Sequence, residues 1–546
     1  MGILSSDKDK KLLKALKDER DLAIKWRDNC GWDQMSSDSV NYYQYGVAED
    51  LNDVTLKKRK QRKANYVFSN IESIIPKIFD KFPGFQVIGR GVDDIEKAPR
   101  VEQILRYKME QLKSEAKMED GVRDQLVKSY GLFKVTWETQ LKKGKDKEVE
   151  GVDKDDVCLD VIQPDNFYIT AGDTRLQEAK GCFEKIFSSP EEVKTKYGKD
   201  VKADATLLDD STKTDKEKGE KVIVWQYTGE MNGKKKMWFF TDKEILQEDS
   251  MYEHGQKPYI VLPNYRRSDE FYPWSEVFQI MPLQKELVEI DNQASEFRKR
   301  AINPKKVVQE GAVDKINQNR LKDPRVNLVI ATDINGIKWE SPGLIGQDIY
   351  NFRLIKKEDI GLMTGQNELS RGGTERVVKT ATGQQILFDA AQGRVRQKVR
   401  QLERAIKQIL FQVQGLLAEF QDKEEQIKIT DTNDENPFSA YTKEDIQGKF
   451  DFIIDIVEST PILREKRAQL ALDLYTLFKD DQDVDQRELK EKVLKVGFMD
   501  IQAGELLKPD EQGLPIEEQQ EAVDLGFSAP QQQIIPQGII PQQPAL

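Results

Sequence analysis

Residues 361–420 read GLMTGQNELSRGGTERVVKTATGQQILFDAAQGRVRQKVRQLERAIKQILFQVQGLLAEF. A glycine-punctuated loop here runs straight into a basic amphipathic helix. Thr382 and Gln385 have the T-x-x-Q spacing of a capping box, in which each side chain satisfies an orphan backbone donor. Beyond them Phe388, Ala391, Val395, Val399, Leu402, Ile406, Ile409, Val413, Leu416 and Phe420 recur at steps of three and four, which predicts one continuous apolar stripe. At 1.5 Å per residue the stripe spans roughly 50 Å, longer than one small core usually covers. The loop before it carries Arg371, Arg376 and Lys379, and Gly372 and Gly373 give its backbone freedom. A cationic loop joined to a long strut is mechanical equipment, not a reaction centre.

The rest of the composition points the same way. The chain has 546 residues, a third of them charged, and a formal net charge of −11. That length allows several cores, since a single core stops growing near ~250–300 residues. The acidity argues against wholesale wrapping of nucleic acid, which needs a basic surface to release counterions. His254 is the one histidine, so triads, histidine–zinc sites and histidine acid–base pairs lose their commonest member. Neither G-x-x-x-x-G-K-[ST] nor G-x-S-x-G occurs. DTNDENP at 431–437 lacks the glycine and distal glutamate of a calcium loop and reads as a solvated loop. No catalytic residue, metal site or cofactor is expected. Cys30, Cys158 and Cys182 lie far apart and read as reduced, buried thiols. No apolar run approaches the ~18 residues of a membrane span. The opening MGILSS fits the short myristoylation pattern, but lipidation is not the expected reading.

Working outward, residues 6–30 form a charged amphipathic helix with Leu12, Leu13, Leu16, Ala23 and Ile24 on one side. An aromatic segment, GWDQMSSDSVNYYQYG, follows. LKKRKQRK at 56–63 reads as a solvated face opening the next helix, with contact to phosphate or an acidic partner as the alternative. ANYVFSNIESIIPKIFDKF predicts a core helix, and a second helix is expected over roughly 94–129. From 131 to about 270 the period becomes two. LFKVTWETQ, VCLDVIQPDNFYI and GCFEKIF predict strands, and KVIVWQYTGE and KKMWFFTD flank Met231-Asn232-Gly233 as a hairpin. Trp225, Trp238 and Phe240 in that region read as packing residues. Pro282 suits a first helical turn, and Leu283, Leu287, Ile290, Ala294, Phe297 and Ala301 form a narrow seam before Asn303-Pro304 stops the helix. VNLVIATDING and IKWESPG predict strands, a helix spans about 346–363, and KFDFIIDIVEST predicts a strand. A helical region runs from Pro461 to about 508. SAPQQQIIPQGIIPQQPAL is compositionally a flexible tail.

This order of elements resembles the portal proteins of tailed double-stranded DNA bacteriophages. VIQPDNFYITAGDTRLQEAKGCFEKIFSSPEEVKTKYG looks like the family's wing segment. MPLQKELVEIDNQASEFRKRAINP looks like its descending stem helix, and GQDIYNFRLIKKEDIGLMTG like the ascending one. ELSRGGTERVVK looks like the tunnel loop, and TATG with the following helix like the long wing helix. The resemblance covers roughly 65–460 and implies an α+β portal fold with an α/β wing, helical stem, small α/β clip and helical C-terminal crown.

The implied division is an N-terminal segment at 1–55, wing at 56–282, stem helix at 283–303 and clip at 304–345. The second stem helix at 346–363, tunnel loop at 364–383, long helix and strand at 384–460, crown at 461–515 and a Pro/Gln-rich tail at 516–546 complete it. The function implied is a structural ring, usually of twelve copies, at one capsid vertex. It nucleates head assembly, passes viral DNA during packaging and ejection, and joins head to tail. Its implied partners are double-stranded DNA, the terminase large subunit, the major capsid and scaffold proteins and the head–tail adaptors, with no membrane. Assembly is expected in the host cytoplasm and residence in the virion.

Ring closure needs heterologous contacts between copies. Leu283, Leu287, Ile290, Ala294 and Phe297 on one stem helix, with Ile349, Phe352 and Ile355 on the other, are the expected interface residues. Arg371, Gly372, Gly373, Arg376 and Lys379 are the expected DNA-facing loop residues. The basic residues Arg394, Arg396, Lys398, Arg400 and Arg404 read as surface or intersubunit salt-bridge partners. Two rival readings exist: another virion or scaffold assembly protein without a DNA channel, and a carboxylate-dependent DNA-processing enzyme.

Overall fold

The computed structural model describes residues 7–47, 64–79, 83–143, 149–201, 221–302, 305–309, 311, 314–317, 337–340, 347–365, 393–421, 425–428, 438–455, 472–473, 475–478 and 490. The chain divides into two units, 1–457 and 458–546.

In the first unit, α1 (Asp7–Asn29) carries the expected stripe: Leu16 and Ala23 are fully buried, and Leu12, Leu13 and Ile24 pack beside them. The same face includes two arginines. Arg20 lies over the Trp225 ring, 5.1 Å from its centroid, and Arg27 is buried, its Nη1 donating to the carbonyls of Asp165 and Phe167 at 2.9 and 3.1 Å. After Gly31 (φ 68°) the aromatic segment forms α2 (Trp32–Tyr45), whose buried Trp32 donates Nε1 to Ser129 Oγ at 2.8 Å. The expected core helix is α3 (Tyr66–Ile78), capped by the Asn65 side chain accepting from the Phe68 amide. β1 (Gly84–Gly89) follows.

The helix expected over 94–129 is two helices, α4 (Val92–Gln111) and α5 (Ser114–Lys128). Lys113 between them takes a left-handed conformation (φ 50°), which interrupts the helical ladder, and Ser114 Oγ donates to the Met109 carbonyl at 2.7 Å across the break. The turn lets Ile104, Leu105 and Met109 on one side, and Met118, Val122 and Leu126 on the other, enter the same core.

β2 (Tyr130–Lys143) and β3 (Val149–Val161) pair antiparallel. The span VCLDVIQPDNFYI is not one strand. A 3-10 turn at Pro164–Asn166 ends β3's run and sends the chain into another sheet as β4 (Phe167–Ile169). Pro164 lacks the donor a continuing ladder needs. β5 (Gly181–Ser188) leads into α6 (Pro190–Tyr197), which opens with a capping box from Ser189 and Glu192. β6 (Val222–Met231) and β7 (Lys234–Phe240) form the expected hairpin, with Asn232 and Gly233 at φ 52° and 74° as a two-residue primed turn requires. β8 (Ile245–Ser250) completes a five-stranded antiparallel sheet ordered β4-β5-β6-β7-β8, and β9 (Tyr259–Pro263) completes a three-stranded one ordered β3-β2-β9. Trp225, Trp238 and Phe240 are buried in the packing of the larger sheet against α1.

α7 (Glu276–Ile302) begins before Pro282, which therefore sits inside the helix rather than in its first turn. The start is set by Ser275, whose hydroxyl accepts from the Phe278 amide at 2.9 Å. β10 (Lys305–Val308) pairs antiparallel with β11 (Ile337–Glu340), which carries the expected IKWE strand. VNLVIATDING lies outside the described residues. α8 (Gln347–Thr364) and α9 (Gly393–Phe420) follow, then the paired strands β12 (Glu425–Lys428) and β13 (Phe438–Tyr441), a single turn α10 (Lys443–Ile446) and β14 (Phe450–Asp455). β14 pairs antiparallel with β1, Gly84 opposite Asp455.

Leu402, Ile406, Ile409, Val413 and Leu416 of α9 are at most 1% exposed. They fill a core shared with α3, α4, α5, α7 and the three-stranded sheet, where truncating one leucine costs about 2–5 kcal/mol. Residues 382–392, including the expected cap and the start of the stripe, lie outside the described residues, as do 56–63, 431–437 and the Pro/Gln-rich tail. In the second unit, 472–473, 475–478 and 490 are helical, and Thr476 Oγ1 donates to the Asp473 carbonyl at 2.8 Å.

Candidate functional site: stem helices and channel loop

α7 and α8 are joined by complementary charges. Arg353 grips Asp291 in a forked contact, Nε to Oδ1 at 2.6 Å and Nη2 to Oδ2 at 3.3 Å, and also donates to the Tyr66 hydroxyl of α3. The Asp291 carboxylate raises the Arg353 guanidinium above its usual range. Lys356 pairs with Glu286 at 2.8 Å. Further along, Ile360 and Thr364 are buried, the Thr364 hydroxyl donating back to the Ile360 carbonyl at 2.9 Å. Residues 353, 356, 360 and 364 follow helical spacing, so the inward face of α8 is fixed along its length.

That face is not the apolar one expected. Of the residues read as an intersubunit seam, Leu287 is 1% exposed and Ile290 and Ala294 are 8%: their side chains are buried within this chain and do not offer themselves to a neighbour. Leu283 is half-buried against the same core, and Phe297 is half-buried as well. On α8, Ile349 is half-buried, whereas Phe352 and Ile355 are 49% and 50% exposed. Tyr350, Leu354 and Leu362, not singled out from sequence, are also exposed. The signal that could have found them is the inward salt-bridging run. Once Arg353 and Lys356 are matched with Asp291 and Glu286, the apolar residues of α8 must point elsewhere.

Arg371, Gly372, Gly373, Arg376 and Lys379 lie outside the described residues. Both flanks of their loop are described. Arg394, two residues into α9, donates Nη1 to the carbonyls of Leu362 and Met363 in the last turn of α8. A cation at the C-terminal carbonyls of a helix satisfies orphan acceptors and the helix dipole together. This contact holds the C-terminal end of α8 beside the start of α9.

A second tie secures α9. Lys398 is buried, 2.7 Å from Glu276 Oε2 in the first turn of α7, with its ammonium also bonded to Asn264 and 4.2 Å from the Tyr265 ring centroid. Tyr265 donates to the other Glu276 oxygen at 3.2 Å. Burial lowers the Lys398 pKa against the opposing pull of Glu276. Lys398 is thus an internal strut, not the surface or intersubunit partner expected.

The residues that could suggest chemistry are built into the framework. His254 is set among Tyr252, Phe411 and Gly415, its Nδ1 accepts from the Gln256 amide at 3.1 Å, and burial holds its pKa below the ordinary value. Cys30, Cys158 and Cys182 are free thiols. Cys182 alone is fully buried; the other two are half-buried, less than expected. Among the described residues, Glu138, Cys158 and Asp160 on β2 and β3 bring three ligating atoms within 4.8 Å of one another. No described helix is long and apolar enough to cross a membrane.

Among solved structures the chain is similar to the neck of an empty gene transfer agent (GTA) particle computed with C6 symmetry, at 12% identity and a TM-score of 0.40 over 84% of this chain and 93% of that one. It is also similar to the neck of a native GTA particle computed with C12 symmetry, at 12% identity and a TM-score of 0.36 over 78% and 88%. No curated protein matches. The family described as phage SU10 portal protein matches residues 141–472, more than half of the chain, including the five-stranded sheet, α7, α8 and α9. Members of that family are structural and not enzymatic. The chain belongs to the phage SU10 portal protein family and is a structural protein of the virion, a head–tail connector.

Proposed function

We propose that copies of this chain close into a ring, of twelve subunits, at one capsid vertex, with viral double-stranded DNA passing through the bore during packaging and ejection. One observation carries the reading: the arrangement of α8. Arg353, Lys356, Ile360 and Thr364 are spent inside the chain, while Tyr350, Phe352, Leu354, Ile355 and Leu362 stand 47–65% exposed. A helix salt-bridged inward that leaves five large apolar side chains exposed buries them against something else, and a second copy of the same helix pair supplies a surface that repeats until the ring closes.

In this reading residues 283–303 along α7 and 346–363 along α8 are the stem, 304–345 the clip, 56–282 the wing, and 461–515 the crown. The 364–383 loop, rooted at the Arg394 contact, faces the bore, where Arg371, Arg376 and Lys379 meet phosphates without reading sequence. A subunit charge of −11 repels the polyanion, and a few cations guide it without holding it. The terminase large subunit, capsid and scaffold proteins and head–tail adaptors are the partners of such a ring, assembled in the host cytoplasm. Negative-stain microscopy of the purified protein tests the proposal. Annular particles with a central hole are expected, and only monomers or elongated particles under every condition would refute it.

A further inference from the structure

The wing contains a cleft that the ring function does not use. It has a volume of about 250 Å³ and opens between the loop before β5, the segment after β9, and one face of α9. Gln401, Arg404, Ala405 and Gln408 lie at helical spacing on that face. Arg266 and Arg175 approach from the other two walls. Leu176, Val261, Pro263 and Phe271 give the cleft an apolar lining.

The electrostatics are lopsided for so acidic a chain. Three guanidinium groups face a single carboxylate, Glu178, and Arg175 already holds it at 3.0 Å. Arg266, Arg404 and the Gln408 amide have no hydrogen-bond or ion-pair partner among the described residues. The Gln401 amide, by contrast, is already engaged by Asn264 and Gln125. The cleft thus presents two uncommitted planar cations and one uncommitted amide beside apolar walls.

We infer that this cleft binds an acidic peptide, a carboxylate side chain flanked by an apolar residue, contributed by another protein of the particle. Guanidinium forks match carboxylate geometry. The apolar walls favour a carboxylate carried beside a hydrophobic neighbour over a fully hydrated small anion. The volume is too small to admit a DNA duplex, whose major groove alone is about 12 Å wide.

The test uses the full-length protein and a fluorescein-labelled hexapeptide of alternating glutamate and leucine, followed by fluorescence anisotropy. Saturable binding is expected. The double variant Arg266→Ala, Arg404→Ala should raise Kd at least tenfold with Tm unchanged, since both side chains are exposed. Gln408→Glu, which sets a carboxylate one turn from Arg404, should do the same. A peptide with glutamine in place of glutamate should bind at least tenfold more weakly. Absence of saturable binding, equal binding by both variants, or equal binding of the glutamine peptide would each overturn the assignment. Displacement of the labelled peptide by inorganic phosphate or a 20-base-pair duplex as effectively as by unlabelled peptide would overturn it too, assigning the cleft to a free anion or to nucleic acid.

Discussion

Lys398 and Glu276 form a buried ion pair, 2.7 Å between Nζ and Oε2, that fastens α9 to the first turn of α7. An ion pair removed from water is worth little against a well-packed apolar substitute, but removing one partner strands the other. Lys398→Met should therefore lower stability by about 3–5 kcal/mol in urea unfolding. Lys398→Met with Glu276→Leu should recover much of that loss. Equal destabilisation by the single and double variants would show that Lys398 acts through its Tyr265 and Asn264 contacts and not through the charge pair.

The outward face of α8 makes a separable prediction. Phe352→Asp with Ile355→Asp should abolish rings and leave a folded monomer, because both side chains are about half exposed. Mass photometry and circular dichroism read the two properties independently. Rings that persist with wild-type mass would place the subunit contact elsewhere.

The channel loop should divide assembly from transport. Replacing Arg371, Arg376 and Lys379 with alanine should leave ring mass unchanged and reduce packaged or retained DNA severalfold in a packaging assay. Loss of rings with the monomer still folded would assign these cations to an interface.

Asp124 supplies a pH-dependent prediction. Burial, with a smaller contribution from Asp165, pushes its carboxyl up to about 6 despite Lys128, and it has no hydrogen-bond or ion-pair partner among the described residues. The folded state then holds a proton that the unfolded state has released between pH ~4 and ~6, so ionising Asp124 costs stability above that window and the cost fades below it. Asp124→Asn should stabilise the protein at pH 7 by on the order of 1 kcal/mol, discounted for partial solvent screening, and the gain should vanish near pH 4. Thermal melts across pH 4–8 measure the difference.

How much of this was readable from sequence depended on the range of the interactions. The α9 stripe from Val395 onward and the Asn232-Gly233 hairpin are local and periodic, and both stand where expected. The capping box of α6 is equally local. Lys113 defeated the reading of 94–129 because neither the residue nor its neighbours signal a left-handed turn; tertiary packing selects it. Pro282 suggested a helix start, but Ser275 with its capping hydroxyl was the true one.

The β1 strand, GFQVIG, is short and ends in glycines, and its partner lies at the far end of the unit, so no local pattern announced it. α7 and α8 were legible as two helices but not as to which faces were spent inside the chain. Only the matching of Arg353 with Asp291 and Lys356 with Glu286 decides that. Arg404 is exposed, as expected of a surface cation; that Arg266 and Arg175 line the same cleft is a tertiary fact no local pattern shows.

The pairing of β1 with β14 has a consequence for biosynthesis. At 5–20 residues per second, a ribosome that has made Gly84 needs roughly 20–75 s to deliver Asp455. Throughout that interval the first strand has no mate. The β1–β14 pair cannot form until α7, α8 and α9 have been translated, and so a half-made polypeptide is kept from joining a growing annulus.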